Sequence, residues 1–157
     1  MIKDTDSLEE DMWPFYHEAG HWIIARALGY EGYLTGNLKE NNNFNFIQTS
    51  PKVLTPQGLK NQILIAFGGL SSEKLLDIPI NAGAIGDLTI ACEDLKQLHS
   101  LEGKTFEYNN YLDFPDKDYD YYLSQGQIVL EKLGGKKAIL DTGNYFHGEL
   151  KKAYQIK

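Results

Sequence analysis

Apolar residues recur at helical spacing in several segments of the chain. Between Pro14 and Leu28 they fall near every third or fourth position, with a proline at the start and Gly29 directly after the end, as is typical of a helix. Similar apolar stripes predict further helices, at Pro56–Leu76, from Ala84 or Asp87 to Leu101, at Asp116–Leu133 and at Lys136–Tyr154. The pattern therefore predicts a mainly α fold.

The segment from Tyr30 to Ser50 has a different pattern. Short runs rich in Tyr, Phe, Thr and Ile flank a polar Lys-Glu-Asn-Asn-Asn stretch, which is typical of a β-hairpin with an exposed tip. Alternation along the second strand places Phe44, Phe46 and Gln48 on one face. We therefore expect one small β element within the helical fold.

Glycines occur inside two of the predicted helices. Gly20 lies in the first helix, and the pair Gly68-Gly69 interrupts the second. A glycine within a helix weakens it by about 1 kcal/mol relative to alanine, so its presence needs another reason. We expect these glycines to allow close packing against a neighbouring element.

Composition narrows the class of protein. The 157 residues predict a single domain, residues 1–157, and 15 Lys plus Arg against 22 Asp plus Glu give a net charge of −7, which disfavours nucleic acid and anionic membranes as partners. The single cysteine, Cys92, excludes an internal disulfide and is expected in the core. The acidic amino end and the lack of a long apolar run predict a cytoplasmic protein that does not enter a membrane.

The motif His17-Glu18-Ala19-Gly20-His21 carries the candidate chemistry. On a helix, His17 and His21 lie one turn apart on the same face, so both imidazoles can bind one zinc ion. Glu18 is rotated by about 100° from His17 and is expected to act as general base on a water bound to zinc. This arrangement is that of a helical metallopeptidase.

A catalytic zinc site needs a third protein ligand. The residue types leave five candidates: Glu73, Asp87, His99, His147 and Glu149. His99 and His147 fall at predicted helix ends and are expected in solvent. Asp87 also fits the start of a helix, where a carboxylate is stabilised by the helix dipole without any metal. The spacing alone does not choose among them.

Three ordered motifs then point to a family. HEAGH, IAFGGLSSEKLL and NAGAIGDLTIACEDL, within Phe15–Leu98, together resemble the peptidase domain of the FtsH-type ATP-dependent zinc metalloproteases. Ile85-Gly86 stand where that family commonly carries small or polar residues such as Ser-Asn. The resemblance implies a zincin-like helical peptidase domain with one small β-hairpin or sheet.

The resemblance also implies a role for individual residues. His17 and His21 match the two histidine ligands, Asp87 matches the aspartate ligand, and Glu18 matches the catalytic carboxylate. Glu73 matches a carboxylate that the family keeps beside the site, and we expect it to orient a ligating histidine.

The expected function is hydrolysis of peptide bonds in unfolded or flexible polypeptides, with Zn²⁺ as cofactor. An extended substrate is expected to pair with the strand edge at Phe44, Phe46 and Gln48. No phosphate-binding G-x-x-x-x-G-K-[ST] loop occurs, so we expect a free-standing peptidase part, with a homo-oligomer or a separate ATPase as candidate partners. The alternatives are a non-hydrolytic metal-binding interaction module or adaptor, and a helical protein without metal.

Overall fold

A computed structural model describes residues 8–37, 43–80, 83–104 and 111–155 of the chain. The described part is mainly helical with one small antiparallel sheet, as predicted. The helices are α1 (Trp13–Ala27), α2 (Pro56–Ala66), α3 (Gly68–Leu76), α4 (Ala84–Leu101), α5 (Asp116–Lys132) and α6 (Gly135–Gln155), and the strands are β1 (Gly32–Asn37) and β2 (Asn43–Gln48). Short 3-10 turns lie at Glu10–Met12 and Tyr111–Asp113.

The ends of α1 and α2 follow from local sequence signals. Gly29 adopts φ +88°, a left-handed conformation that favours glycine, and the Tyr30 N–H then donates to the Ala25 carbonyl at 2.9 Å. At the start of α2, Thr55 Oγ1 accepts from the Gly58 N–H at 3.0 Å. These two signals confirm the end of the first helix and the start of the second.

The prediction of one helix over Pro56–Leu76 is wrong. The chain forms α2 and α3, separated at Phe67, whose ring is fully buried. The break lets the backbone of α3 approach α1: a Cβ placed on Gly68 would lie 2.7 Å from the Gly20 carbonyl oxygen. The predicted close packing at Gly20 and Gly68 is thus confirmed, and tertiary contact overrides helical continuity.

The hairpin pairs β1 with β2, with Leu34 opposite Phe46. The Thr49 N–H donates to the Glu31 carbonyl at 2.9 Å. Along a strand of an antiparallel pair, the backbone N–H and C=O groups of successive residues point alternately toward and away from the partner strand. Since the Thr49 N–H points toward β1, the backbone groups of Phe44, Phe46 and Gln48 point away from it. The predicted tip extends into residues 38–42, which lie outside the described residues.

Helix α1 is central to the fold and contacts α3, α6 and both strands, while α2 packs on α4 and α3 on α5. Cys92 lies in the buried cluster that joins α2, α4 and α5, so its predicted core position is confirmed. Strand β2 packs on α1 through Phe44, whose ring centroid lies 4.1 Å from that of Phe15.

None of the helices in the described ranges combines the length and apolar character that crossing a membrane requires.

Candidate metal centre

Two elements bring three donor atoms together. His17 and His21 project from one face of α1, with their Nε2 atoms 3.2 Å apart. Asp87, in the first turn of α4, places Oδ2 at 2.7 Å from His17 Nε2 and 3.1 Å from His21 Nε2. Within the described residues, these three form the group of His, Cys, Asp or Glu side chains positioned to hold a metal ion.

The donor set fits zinc. Two imidazole nitrogens and one carboxylate oxygen are ligands that zinc accepts, and a catalytic site leaves a fourth position open. Ligand atoms bound about 2.1 Å from a tetrahedral zinc ion lie about 3.4 Å apart. The separations here, 2.7, 3.1 and 3.2 Å, are shorter than that, and Asp87 remains 20% exposed on the open side of the group.

The remaining ring nitrogens face buried partners. His21 Nδ1 lies 2.7 Å from the Ile65 carbonyl oxygen, to which it donates. His17 Nδ1 lies 3.1 Å from Glu73 Oε1, and both side chains are 1% exposed. Contacts of this kind fix the orientation of a histidine so that Nε2 presents its lone pair to a metal. Glu73 therefore occupies the position of an orienting carboxylate.

Opposite charges dominate the electrostatics of the group. Burial of the His17 ring opposes protonation, but the carboxylates of Asp87, Glu73 and Glu18 outweigh burial and raise the pKa of His17 to about 10. Burial likewise opposes protonation of His21, yet Asp87 and Glu18 raise its pKa. Burial alone would raise the pKa of Asp87, but His21 and His17 hold it well below the usual range. The surrounding carboxylates therefore favour a positive charge on the two imidazoles.

Glu18 lies beside the three donors rather than among them. Its Oε2 is 3.5 Å from His17 Nε2 and 3.9 Å from His21 Nε2. Its Oε1 accepts a hydrogen bond from the Phe46 N–H of β2 at 2.8 Å. One carboxylate thus connects the edge of the hairpin with the histidine pair.

A cleft of about 610 Å³ opens next to the site. Its lining includes His21 and Asp87 on one side and Phe46 and Gln48 of β2 on another. The outward backbone groups of β2 border this cleft. Two of the residues predicted for the substrate edge therefore line the space beside the donors, whereas Phe44 is buried against Phe15.

Glycines make room for the histidines. A Cβ on Gly69 would lie 2.2 Å from His17 Cε1, and one on Gly20 would lie 2.1 Å from the Gly68 carbonyl oxygen. A Cβ essentially never comes so close to another heavy atom in a real structure, so both positions require glycine at this helix separation. The Gly68-Gly69 pair places α3 directly behind the ring of His17.

The other candidate ligands lie elsewhere. The prediction that His99 is in solvent is wrong, since both of its ring nitrogens are shielded near the end of α4. His147 lies within α6 rather than at its end, partly buried with its ring 4.9 Å from that of Phe15. Glu149 is exposed and pairs with Lys152. None of the three reaches the donors of the site.

Sequence reasoning missed three contributors. The Ile65 carbonyl and the Phe46 N–H are backbone groups, which carry no residue signature. Gln62 also lines the cleft. Its signal was available, because it is a glutamine between Leu59, Ile63 and Ala66 on the buried stripe of α2.

Comparison with known proteins gives two partial matches. The chain is 31% identical over 112 residues to the ATP-dependent zinc metalloprotease FtsH of Pelobacter propionicus, which covers 62% of this chain and 16% of that protein. It is 27% identical over 131 residues to the ATP-dependent zinc metalloprotease FtsH 2 of a Thermoanaerobacter species, covering 75% of this chain and 26% of that protein. The chain thus spans about a quarter or less of these relatives.

No protein-family model matches the chain. No solved structure matches it either. The two partial matches support an FtsH-related region in this chain and a relationship to zinc metalloproteases.

Proposed function

We propose that this protein is a zinc-dependent endopeptidase that hydrolyses peptide bonds in unfolded or flexible polypeptides. The observation that carries the proposal is the convergence of His17 Nε2, His21 Nε2 and Asp87 Oδ2, with Glu18 Oε2 directly beside them. These three side chains would hold the metal. When bound, zinc polarises the scissile carbonyl and lowers the pKa of the attacking water.

The chain's own residues supply the rest of the reaction. Glu18 Oε2 lies where it can take the proton of the attacking water and later deliver it to the leaving amine. The Phe46 N–H fixes the other oxygen of the same carboxylate, so the base is oriented before substrate binds. Glu73 and the Ile65 carbonyl hold the two imidazoles in place.

The open edge of β2 supports an extended substrate. The Phe46 N–H is held by Glu18, while the Phe46 carbonyl and the Gln48 N–H also point away from β1, and a peptide that lies in the cleft can add to this part of the edge as a further strand. A folded domain keeps its own strands paired, so only an unfolded or flexible segment can bind in this way. A separate ATPase or a homo-oligomer would extend the range of substrates.

Metal analysis combined with peptide hydrolysis tests the proposal. The purified protein should bind one zinc ion per chain, cleave casein or unfolded peptides, and lose cleavage when a chelator removes the metal. Zinc restored to the chelated protein should restore cleavage. Zinc binding without hydrolysis of any unfolded substrate would instead favour the non-hydrolytic metal-binding module.

A further inference from the structure

Lys52 lines the cleft at the end of its β2 side. It follows Gln48 and Ser50, which line the same side, and its Nζ donates to Asp94 Oδ1 of α4 at 2.9 Å. The side chain of Lys52 is 45% exposed, whereas that of Asp94 is 3% exposed. The ion pair therefore joins the segment after β2 to α4, and the lysine is its accessible partner.

The position of Asp94 on α4 places this ion pair relative to the metal centre. Asp87 and Asp94 are seven residues apart in α4. This spacing is close to two helical turns, so both residues lie on one face of the helix, about 10 Å apart along its axis. Ile90, which lies between them on that face, lines the cleft as Asp87 does. Because an extended peptide rises about 3.3 Å per residue, Lys52 lies about three substrate residues from the metal centre.

The stability of the fold does not require this ion pair. Asp94 is buried on α4, as Leu95 and Leu98 are, and burial raises the pKa of its carboxyl although Lys52 opposes the shift. Its Oδ2 is buried and has no hydrogen-bond partner among the described residues. Replacement of a buried ion pair by apolar side chains is often neutral or stabilising. The pair is better explained by a use for an ammonium group held at the wall of the cleft.

The charges along the cleft define the group that this lysine can bind. Glu18 and Asp87 are the acidic residues of the lining, whereas Lys52 is its one Lys or Arg among the described residues. Across the described ranges, Asp94 is the acceptor for Nζ, and it does not line the cleft. An ammonium group has three N–H donors, so it can bind a further acceptor on its open side. A carboxylate offers that acceptor together with the opposite charge.

We infer that Lys52 is a specificity-determining residue that binds a carboxylate of the substrate about three residues from the scissile bond. The carboxylate belongs to an Asp or Glu side chain or to the carboxyl terminus of the peptide. Asp94 is a positioning residue, because it holds the ammonium group at that distance. The inference rests on the proposed peptidase function, since it assigns a substrate group to the cleft beside the metal centre.

Hydrolysis of peptides that differ by one charge tests this assignment. Zinc-loaded wild type is compared with a double variant, Lys52→Met with Asp94→Asn, and with the matched control Lys60→Met, which changes an exposed lysine of α2 outside this cleft. The unfolded peptides carry Glu or Gln at successive positions around the scissile bond, or a free or amidated carboxyl terminus. Wild type and the control should favour one carboxylate position by about three- to fivefold in kcat/KM. The double variant should lose this preference.

The peptide pairs also identify the source of the carboxylate. A preference for Glu over Gln assigns it to a side chain, and a preference for a free over an amidated end assigns it to the carboxyl terminus. In either case the preference should nearly vanish at about 1 M salt, which screens the attraction. The same preference in wild type and the double variant, or none in wild type, would overturn the assignment.

Peptide binding separates this inference from the proposed function. Fluorescence anisotropy with Glu18→Gln gives the affinity for the same peptides, with and without the two changes at Lys52 and Asp94. If wild type hydrolyses no peptide but binding depends on the carboxylate and on Lys52, the peptidase function fails and the assignment stands. If wild type hydrolyses peptides without that preference, the assignment fails and the peptidase function stands. Absence of hydrolysis and of carboxylate-dependent binding would overturn both.

Thermal unfolding and metal analysis supply the structural control. Lys52→Met alone leaves the buried Asp94 unpaired and should lower the midpoint, whereas the added Asp94→Asn should restore part of it. Lys52→Arg keeps the charge and should keep most of the carboxylate preference, with the zinc content of wild type. If the double variant does not fold, Lys52→Gln takes its place, because its amide is neutral and can still donate to Asp94. A variant that keeps the charge but loses the preference, at wild-type zinc content and midpoint, would contradict the role of the ammonium group.

Discussion

The metal centre has two walls of opposite character. The buried wall consists of Gly20, Gly68, Gly69, His17 and Glu73, and α1 and α3 meet there so closely that no Cβ fits at the three glycines. The open wall consists of Glu18, Asp87 and the β2 edge, which border the cleft. Under the proposed function, the buried wall would position the metal ligands and the open wall would admit the substrate. We therefore expect substitutions on the two walls to have separable effects.

The largest expected effect comes from the open wall. Glu18→Gln removes the carboxylate that we propose as the general base, so turnover should fall by about a thousandfold or more. The amide oxygen can still accept from the Phe46 N–H, so zinc content and the thermal midpoint should stay close to wild type. Peptide hydrolysis, metal analysis and thermal unfolding check this expectation. Activity within about tenfold of wild type would contradict the role of Glu18.

The next effect should be on stability, and it comes from the buried wall. Gly69→Ala forces a Cβ against the ring of His17 and should lower the free energy of unfolding by about 2–3 kcal/mol, with loss of bound zinc. Gly86→Ala is the matched control, since nothing lies within 4 Å of its Cβ position in α4. That change should be neutral or stabilise the helix by roughly 0.5–1 kcal/mol. Equal urea midpoints for the two variants would refute the difference between the walls.

Substitution of Glu73 should have a smaller effect, which is on the affinity for zinc. Glu73→Gln keeps the size of the side chain but removes the charge behind His17, so zinc affinity should drop by about 10–100-fold. Asp87→Ala removes a proposed ligand and should weaken zinc binding further. Competition with a chromogenic chelator gives both affinities. The reverse order, with Asp87→Ala harmless and Glu73→Gln without zinc, would reassign the third ligand to Glu73.

The smallest expected effect is the release of protons when zinc binds. Without metal, the raised pKa of about 10 keeps His17 protonated near neutral pH, whereas an ordinary histidine with a pKa of 6.5 is mostly neutral there. Zinc binds the neutral ring, so binding should release about one proton or more per ion, and affinity should fall as pH is lowered. Calorimetry in two buffers of different ionisation enthalpy measures this number. Release of almost no protons would show that the carboxylates do not raise the pKa of His17.

Much of the fold could be predicted from the sequence, because the signals that begin and end helices are local. Thr55 begins a helix and Gly29 ends one through contacts within a few residues. The pair His17 and His21 was predictable for the same reason, since four-residue spacing on a helix fixes their relation. The break at Phe67 was not predictable, because it depends on the approach of α3 to α1.

The third donor needed information beyond spacing. Asp87 lies 70 residues from His17 along the chain, and no periodicity relates the two. The resemblance of the GAIGDL segment to a family motif suggested it, and the geometry places its Oδ2 against both imidazoles. The backbone partners at Ile65 and Phe46 require the tertiary structure itself, because every residue type supplies a backbone carbonyl and all but proline supply an N–H.

The hydrogen bond from Phe46 to Glu18 also constrains how the length of the hairpin can vary. A shift of β2 by two residues against β1 would bring another outward N–H, that of Phe44 or Gln48, in front of Glu18. A shift by one residue would keep an outward N–H opposite Leu34 but would turn the side chains of β2 to the opposite face of the hairpin, so Phe44 would lose its contact with Phe15. Insertions and deletions that move β2 are therefore compatible with the site only when the displacement is an even number of residues.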